Sequence, residues 1–387
     1  MTLADDLANL SVAPKISAPK DWRPGVEFDG SQGTATTPYS DKPITFEALL
    51  TEAGLDPELY EIVGDPRISK WQQRDGGDYL TAFRFTFRAL KASLDLPLLY
   101  AQAKRTKAPK TPSSASEKVF VVIPADFQVG KVDSRGGTPE LIARVFESYA
   151  RIEAKLKAGK YERVVVIDGG DIIESISNKA NMQQLATNDL SVPQQVDLAA
   201  SLMWDLLKIT TKYAPTTYAS VGSNHCQQRV NGQTVGRPGT DDWGIVIAQQ
   251  LARLSREVGL PVNFLIPEPE DESLAYDPFD DGFHVLGIWH GHQAGRPDGQ
   301  VGFWERQTFG NQPIAAATIG ISAHFHHLQV RELGKAHHGG SRYWIQASTS
   351  DSGSSWYRRN SGSDSAPGIV CFELAKGEFF QGTVFKL

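Results

Sequence analysis

Three of the chain's nine histidines fall within four positions, His324, His326 and His327 in GISAHFHHLQV, at the end of an apolar run. Two more, His290 and His292 in WHGHQ, follow another such run. Upstream, Asp126 and Gln128 stand in PADFQVGK, Asp171 in VVVIDGGD, and Asn224 and His225 in GSNHC. Two carboxylates, an amide and at least three imidazoles form a mixed oxygen and nitrogen donor set. Such a set suits Mn, with Fe, Zn or Ni as alternatives, better than Ca or Mg. The only cysteines, Cys226 and Cys371, are far apart, which excludes a Cys-rich structural zinc site. More than four candidate ligands implies two divalent ions. A pair about 3.5–4 Å apart, bridged by one carboxylate and a hydroxide, is arranged for in-line displacement at phosphorus.

Chemistry of this kind needs a scaffold that brings the five segments together, and the apolar patterning supplies one. VFVVIPA (119–125) is a continuous apolar run suited to a strand covered on both faces. A helix follows, capped by Thr138 with Pro139 at its first position, its stripe formed by Leu141, Val145, Tyr149, Ile152 and Leu156 before Gly159. Then come a strand at 163–167, a helix over about 193–212, a strand at 217–221 and a helix over about 242–257. VNFLI, FHVLGIW (283–289), ATIGISA (317–323), SRYWIQAS, GIVCFEL and GTVFKL read as further strands. Ligand sites in open α/β sheets lie beyond the carboxyl ends of the strands, and each donor segment stands at such an end. The fold class is α/β.

The order DFQ, GGD, GSNHC, HGH, AHFH resembles the calcineurin-like metallophosphoesterase superfamily, whose pattern is D-x-H, G-D, G-N-H-D/E, H, G-H-x-H. The resemblance runs from 119 to about 330. It implies a sandwich of two mixed β-sheets flanked by helices, and a dinuclear phosphoesterase site. Asp126 and His326 would hold the first metal, Asn224, His290 and His324 the second, and Asp171 would bridge them. His225 would stand by the leaving-group oxygen as general acid or charge stabiliser. Four positions depart from the pattern. Gln128 replaces the usual His, so the first metal gains an amide oxygen or loses a ligand. Ser223 replaces the second Gly and Cys226 the acidic residue of the third segment, and Ala323 replaces the Gly before His324, which the turn tolerates if its φ is negative.

Plainer readings stand beside these. His324 and His326 alternate and could share a solvated strand face, His290 could be an interior histidine, and Asp171, Asn224 and Gln128 could be turn residues. The five-part order is what argues against them. His292 and His327 exceed the ligand count and read as phosphate contacts or as groups that support the ligands from behind. Lys131 and Arg135, just after the first segment, are divided between phosphate contact and surface. His337 and His338 read as loop residues, Cys226 as a remote candidate nucleophile. Trp356, Arg358 and Arg359 could stack on and pair with a nucleic-acid strand.

Residues 1–45, rich in Pro, Thr, Ser and Gly, read as an extended arm. Residues 46–103 form a small α+β module with two helical pieces around Gly54 and Asp56, then a strand in DYLTAFRFTFRAL. Residues 104–118 are a linker, and 119–387 the metallophosphoesterase domain. The module is a candidate nucleic-acid reader of winged or helix-turn-helix type, or a surface for a protein partner or a second copy of the chain. With 39 basic against 45 acidic residues the net charge is −6, so no broad cationic surface is visible. Paired with few cysteines, no leader-like opening and no apolar run near ~20 residues, this predicts a cytoplasmic protein without a membrane span, in host cytoplasm if phage-encoded. Chains with this first segment and a leading module resemble phage-encoded members akin to double-strand-break repair exonucleases. The resemblance favours DNA as substrate, cleaved by an exo- or endonuclease. Alternatives are a phosphomonoesterase, a small-nucleotide phosphodiesterase, a protein phosphatase and a non-catalytic scaffold.

Overall fold

The computed structural model describes residues 22–28, 32–42, 44–57, 60–72, 77–89, 116–176, 188–230, 233–237, 239–268, 270–355, 358–359 and 365–387. The chain divides into two compact units, Met1–Ala92 and Ser93–Leu387.

In the first unit, β1 (Gly25–Phe28), β2 (Gln32–Thr36), β3 (Tyr60–Ile62), β4 (Arg67–Gln72) and β5 (Tyr79–Ala89) form one antiparallel sheet, with the eleven-residue β5 pairing with β2, β3 and β4. Helix α1 (Phe46–Glu52), capped by the Thr45 hydroxyl, lays Phe46, Leu49 and Leu50 on Phe85 and Phe87. Two expectations are corrected here. Part of the expected arm, residues 25–28 and 32–36, is strand, because the small residues of GVEF and QGTAT let β1 and β2 pair closely. A Cβ on Gly33, for example, would stand 2.6 Å from the Glu27 carbonyl oxygen of β1. The second helical piece is instead β3, and the described residues contain no helix-turn-helix. The expected linker at 104–118 lies outside the described residues up to 115, and β6 already begins at Lys118.

The second unit is built from the expected strand and helix alternation. β6 (Lys118–Ile123), β7 (Arg163–Asp168), β8 (Thr216–Ser220) and β11 (Val262–Leu265) are parallel. They are joined by α2 (Thr138–Ala158), α3 (Val192–Thr211) and α4 (Trp243–Val258), and extended by antiparallel β17 (Val370–Ala375) and β18 (Val384–Lys386). A two-residue hairpin, β9 (Arg229–Val230) with β10 (Gln233–Thr234), projects after β8. The second sheet runs β12-β13-β14-β16-β15, from β12 (Ser273–Tyr276), β13 (Leu286–Trp289), β14 (Ile319–Ser322), β15 (Gln329–Lys335) and β16 (Ser341–Gln346). Its three central strands are parallel and its outer two antiparallel.

Val119, Val121, Ile123, Val165 and Ile167 of the first sheet meet Leu286, Ile288, Ile319, Ile321 and Ile345 of the second in one core, which makes a face-to-face sandwich. The other face of the first sheet packs on α2, α3 and α4, and the other face of the second on α5 (Gln300–Phe309) through Trp289, Phe303, Trp304 and Trp344. This is the α/β sandwich of two mixed sheets flanked by helices. The α2 stripe is buried as expected. Its N-cap, however, is Gly137, and the Asp189 carboxylate accepts from the Thr138 amide at 2.7 Å, so a distant acid does the capping assigned to Thr138. Among the described residues, no helix is long and apolar enough to cross a membrane.

Candidate metal centre

All five donor segments follow strands whose carboxyl ends point the same way. β6 leads to Asp126 and Gln128, β7 to Asp171, β8 to Asn224 and His225, β13 to His290, and β14 to His324 and His326. The loops are tied to each other by backbone bonds. The Asp126 amide donates to the Gly170 carbonyl at 3.0 Å, the Gln128 amide to Asp171 at 2.9 Å, and the Ala323 amide to His290 at 2.7 Å. Asp126, Gln128, Asp171, His324 and His326 have φ between 44° and 70°. They are five of the nine non-glycine residues with positive φ among the described residues, and at roughly 1–3 kcal/mol each this strain is concentrated where the donors meet. Gly170, at φ 91°, is required as glycine, since a Cβ there would lie 2.7 Å from His290 Nδ1. Ala323 has no positive φ, so its methyl group is tolerated.

The half of the site around Asp171 has the chemistry of a cation site. Asp171, His290 and His324 each offer an atom within 4.8 Å of the others. Ligands about 2.0–2.2 Å from one ion lie at most about 4.4 Å apart, so a shift of a few tenths of an ångström closes the set. His290 Nδ1 faces the Gly169 carbonyl at 2.7 Å and must carry its proton there. That leaves Nε2 facing two oxygens, Asp171 Oδ2 at 2.9 Å and Asn224 Oδ1 at 3.0 Å. Asp171 Oδ2 has no aligned hydrogen-bond donor, and the inaccessible His324 Nδ1 has no hydrogen-bond partner. Three buried electron-pair donors aimed at one another repel unless a proton or a metal ion stands between them. Asp171 Oδ2, His290 Nε2, His324 Nδ1 and Asn224 Oδ1 therefore fit a divalent ion.

The ionisation states agree. Burial pushes the Asp171 carboxyl up, but His290 and His225 more than reverse it and hold it well below the usual carboxylate range. Burial pushes His324 down to about 4, which keeps it in the neutral form a ligand needs. Burial opposes charge on His290 as well, yet Asp171 raises it to about 9, so without a metal a proton takes the metal's place.

His225 lies beside this half. Its amide donates to Asp171 Oδ1 at 2.8 Å and its Nδ1 faces the Glu174 carbonyl at 3.0 Å. Burial lowers its pKa, but Asp171 and Glu174 together raise it to about 9, so it can hold a proton to deliver at neutral pH. Gln128 Nε2, 3.2 Å from His225 Nε2, favours the neutral ring and opposes that trend. Two residues without expected roles set the turn. Ser223 Oγ accepts from the Asp171 amide at 2.8 Å, and Asp242, the N-cap of α4, accepts from the Ser223 amide at 2.9 Å. The Ser223 departure thus holds the Asp171 backbone in place. Cys226 is core packing, its thiol pushed well up by burial, and is no nucleophile.

Around Asp126 the arrangement differs. Asp126 is fully buried, with its carboxyl raised to about 6 by burial, accepts from the His324 amide, and lies 3.6 Å from His326 Nε2. Gln128 is brought to the same place, but Lys131 Nζ donates to its Oε1 at 2.5 Å and to Asp351 Oδ2 at 2.6 Å. Asp351 Oδ2 also lies 3.2 Å from His326 Nδ1. An ion sharing Gln128 Oε1 would stand about 4 Å from the ammonium. Unit charges at that distance repel by about 4 kcal/mol at an effective dielectric of 20, and a divalent ion by about twice that. The expected ligand role of Gln128 is therefore not met, and the donors present do not fit a second divalent ion as they stand.

Of the expected phosphate contacts, Lys131 and Arg135 are placed differently. Lys131 and Arg135 turn inward to Asp351, Arg135 Nη1 lying 3.7 Å from Asp351 Oδ1 and its Nη2 donating to the Ser365 carbonyl, because a fully buried carboxylate needs cations more than a solvated loop does. His292 is within the site, its ring 5.4 Å from that of His290, and its Nδ1 has no hydrogen-bond partner. His327 is held by the Phe325 carbonyl at 2.7 Å and by Gln329. His338 packs on Phe283 and Phe379, away from the donor set. Trp356 lies outside the described residues, so the stacking suggested for it with Arg358 and Arg359 has no described geometry. Asp351, missed in the sequence, follows β16 as the other donors follow their strands, and STSDSG carries that signal.

No family model matches the chain, and no curated protein matches its sequence. Solved structures similar to it include a purple acid phosphatase from yellow lupin (Lupinus luteus) seeds, 12% identical with a TM-score of 0.33, over 92% of this chain and 71% of that one. PhoD is 9% identical with a TM-score of 0.32, over 83% and 70%. A proposed 5'-nucleotidase from Staphylococcus aureus is 11% identical with a TM-score of 0.28, over 70% and 53%.

Proposed function

We propose that the chain is a metal-dependent phosphoric ester hydrolase of the calcineurin-like metallophosphoesterase type, with Asp171, Asn224, His290 and His324 as its metal ligands. The observation that carries this reading is the convergence of buried Asp171 Oδ2, His290 Nε2 and His324 Nδ1, the last without a hydrogen-bond partner. A divalent ion held there would polarise a phosphoryl oxygen and make a coordinated water acidic. Asp171 keeps its charge to hold the ion, and His290 is fixed in its tautomer by the Gly169 carbonyl. His225, oriented by Glu174 and by Asp171 Oδ1, donates a proton to the departing ester oxygen.

The resemblance of the first segment and leading module to repair-exonuclease-like chains favours nucleic-acid phosphodiesters, with Mn as the expected ion. A phosphomonoester or a small nucleotide is the second reading. It is favoured by the inward pairing of Lys131 and Arg135, which removes two cations from any track along a DNA backbone. Turnover of labelled single- and double-stranded DNA, bis-p-nitrophenyl phosphate and p-nitrophenyl phosphate with Mn, Fe, Zn or Ni decides between them. Asp171→Ala is expected to lower kcat/KM on the true substrate by about 10³-fold or more, and His225→Ala by about 10²–10⁴-fold. Wild-type protein that binds no divalent ion and cleaves no phosphoester would overturn the hydrolase reading and leave a binding scaffold.

A further inference from the structure

Given the hydrolase reading above, we infer that this is a single-ion site in which the Lys131 ammonium stands in for the second divalent cation. The place of that cation is marked by Asp126, Gln128 and His326, which reach the site on the β6 and β14 loops. Lys131 Nζ already bonds the one oxygen that Gln128 could contribute, at 2.5 Å. It also bonds Asp351 Oδ2, the carboxylate that backs His326, at 2.6 Å. Both contacts are made by a side chain with only 14% of its surface exposed, to a carboxylate with none. The ammonium is therefore a built part of the centre. Burial alone would discharge it, but Asp351 and Glu174 outweigh burial and keep it cationic.

Sequence and geometry are linked by a tight turn. The Lys131 amide donates to the Gln128 carbonyl at 3.0 Å, and Gln128 has φ 44°, which folds Lys131 back over the Gln128 side chain. An imidazole at 128 would offer a metal ligand, but it would meet the ammonium as another cation or as a weaker acceptor. The amide is the side chain that accepts from Lys131 through its oxygen and approaches His225 at 3.2 Å through its nitrogen. Gln128 and Lys131 thus read as one paired exchange, in which a metal ligand and its ion give way to an amide and a tethered ammonium. Lys131 is a positioning residue, acting through Gln128 and Asp351.

The test is ion stoichiometry, read independently of turnover. Metal-free wild-type protein titrated with Mn is expected to take up one ion per chain, with the electron paramagnetic resonance spectrum of an isolated ion. The Gln128→His, Lys131→Met double variant, if folded by circular dichroism, is expected to take up two ions and show an exchange-coupled signal. Lys131→Arg, which keeps the charge, is expected to remain at one. Two coupled ions in the wild type would overturn the inference while leaving the hydrolase reading intact. A folded double variant still limited to one ion would also overturn it. If no ion binds to the wild type, both readings fall together. Should the double variant fail to fold, the wild-type spectrum and Lys131→Arg decide.

Discussion

Around Asp171, a carboxylate oxygen and two imidazole nitrogens converge, and His324 Nδ1 has no hydrogen-bond partner. Around Asp126, on the loops of neighbouring strands, the acceptors Gln128 Oε1 and Asp351 Oδ2 converge on Lys131 Nζ instead. Both halves hold buried carboxylates whose desolvation needs a cation close by. On the proposed reading one half takes that charge from a divalent ion, and the other carries it on its own chain. The difference teaches that a strand-end position fixes where donors meet, while a side chain three residues further on decides what they hold.

The sharpest way to break that comparison is to remove one imidazole from each half. His290→Ala takes away a nitrogen that has Asp171 and Asn224 oxygens within 3.0 Å. Its Mn affinity is expected to fall by more than the ~10–100-fold that loss of an outer partner costs. His326→Ala removes a ring held between Asp126 and Asp351, and its affinity is expected to fall by no more than that amount. Calorimetric titration of both variants measures this. Equal losses would mean that the two halves bind ions alike.

A second test asks what the internal ion pair contributes without any metal. Burial pushes the Asp351 carboxyl up, but Lys131 and His326 outweigh it and hold the group far below the usual carboxylate range. A carboxyl depressed in the folded state adds stability that is present above its unfolded pKa of about 3.9 and is lost as pH falls further. Asp351→Asn leaves Lys131 buried without its carboxylate, a change expected to cost about 3–5 kcal/mol at pH 7. Urea midpoints with chelator present should show that gap, and it should narrow below about pH 4. A gap independent of pH would remove the charge of Asp351 from the account.

What the sequence made legible, and what it hid, follows the same division. VFVVI, RVVVI and the run before His324 are apolar without alternation, so they could only be strands covered on both faces, and the polar residue ending each was visible. The Asp171 half could be read because its donors lie one to four residues beyond strand ends. Lys131 could not be read, since its direction depends on the φ of Gln128 and on Asp351, which lies 220 positions away. Asp351 itself follows a strand like the others, but a Ser-rich stretch hides an acid more easily than an apolar run does. In the first unit, β1 and β2 were missed because short Gly- and Thr-containing antiparallel strands carry little period-2 signal.

The smallest expected effect concerns Ala323, which links the halves: its amide donates to the His290 carbonyl, and the next residue's amide donates to Asp126. The motif has glycine here, so one account makes the methyl group a source of strain, and Ala323→Gly would then stabilise the protein. The backbone opposes that account, because Ala323 is absent from the positive-φ set while His324 carries φ 70°. The methyl group is also fully buried in the core between the sheets. Removing it forfeits about 0.8 kcal/mol of burial. The glycine also frees the unfolded chain by about 0.4–1 kcal/mol. Ala323→Gly is therefore expected to destabilise by about 1–2 kcal/mol in denaturant unfolding, with Mn affinity unchanged. A gain in stability would show that the turn before His324 is strained by its methyl group, and that the strain of the site reaches one residue further toward Asp126 than its φ angles indicate.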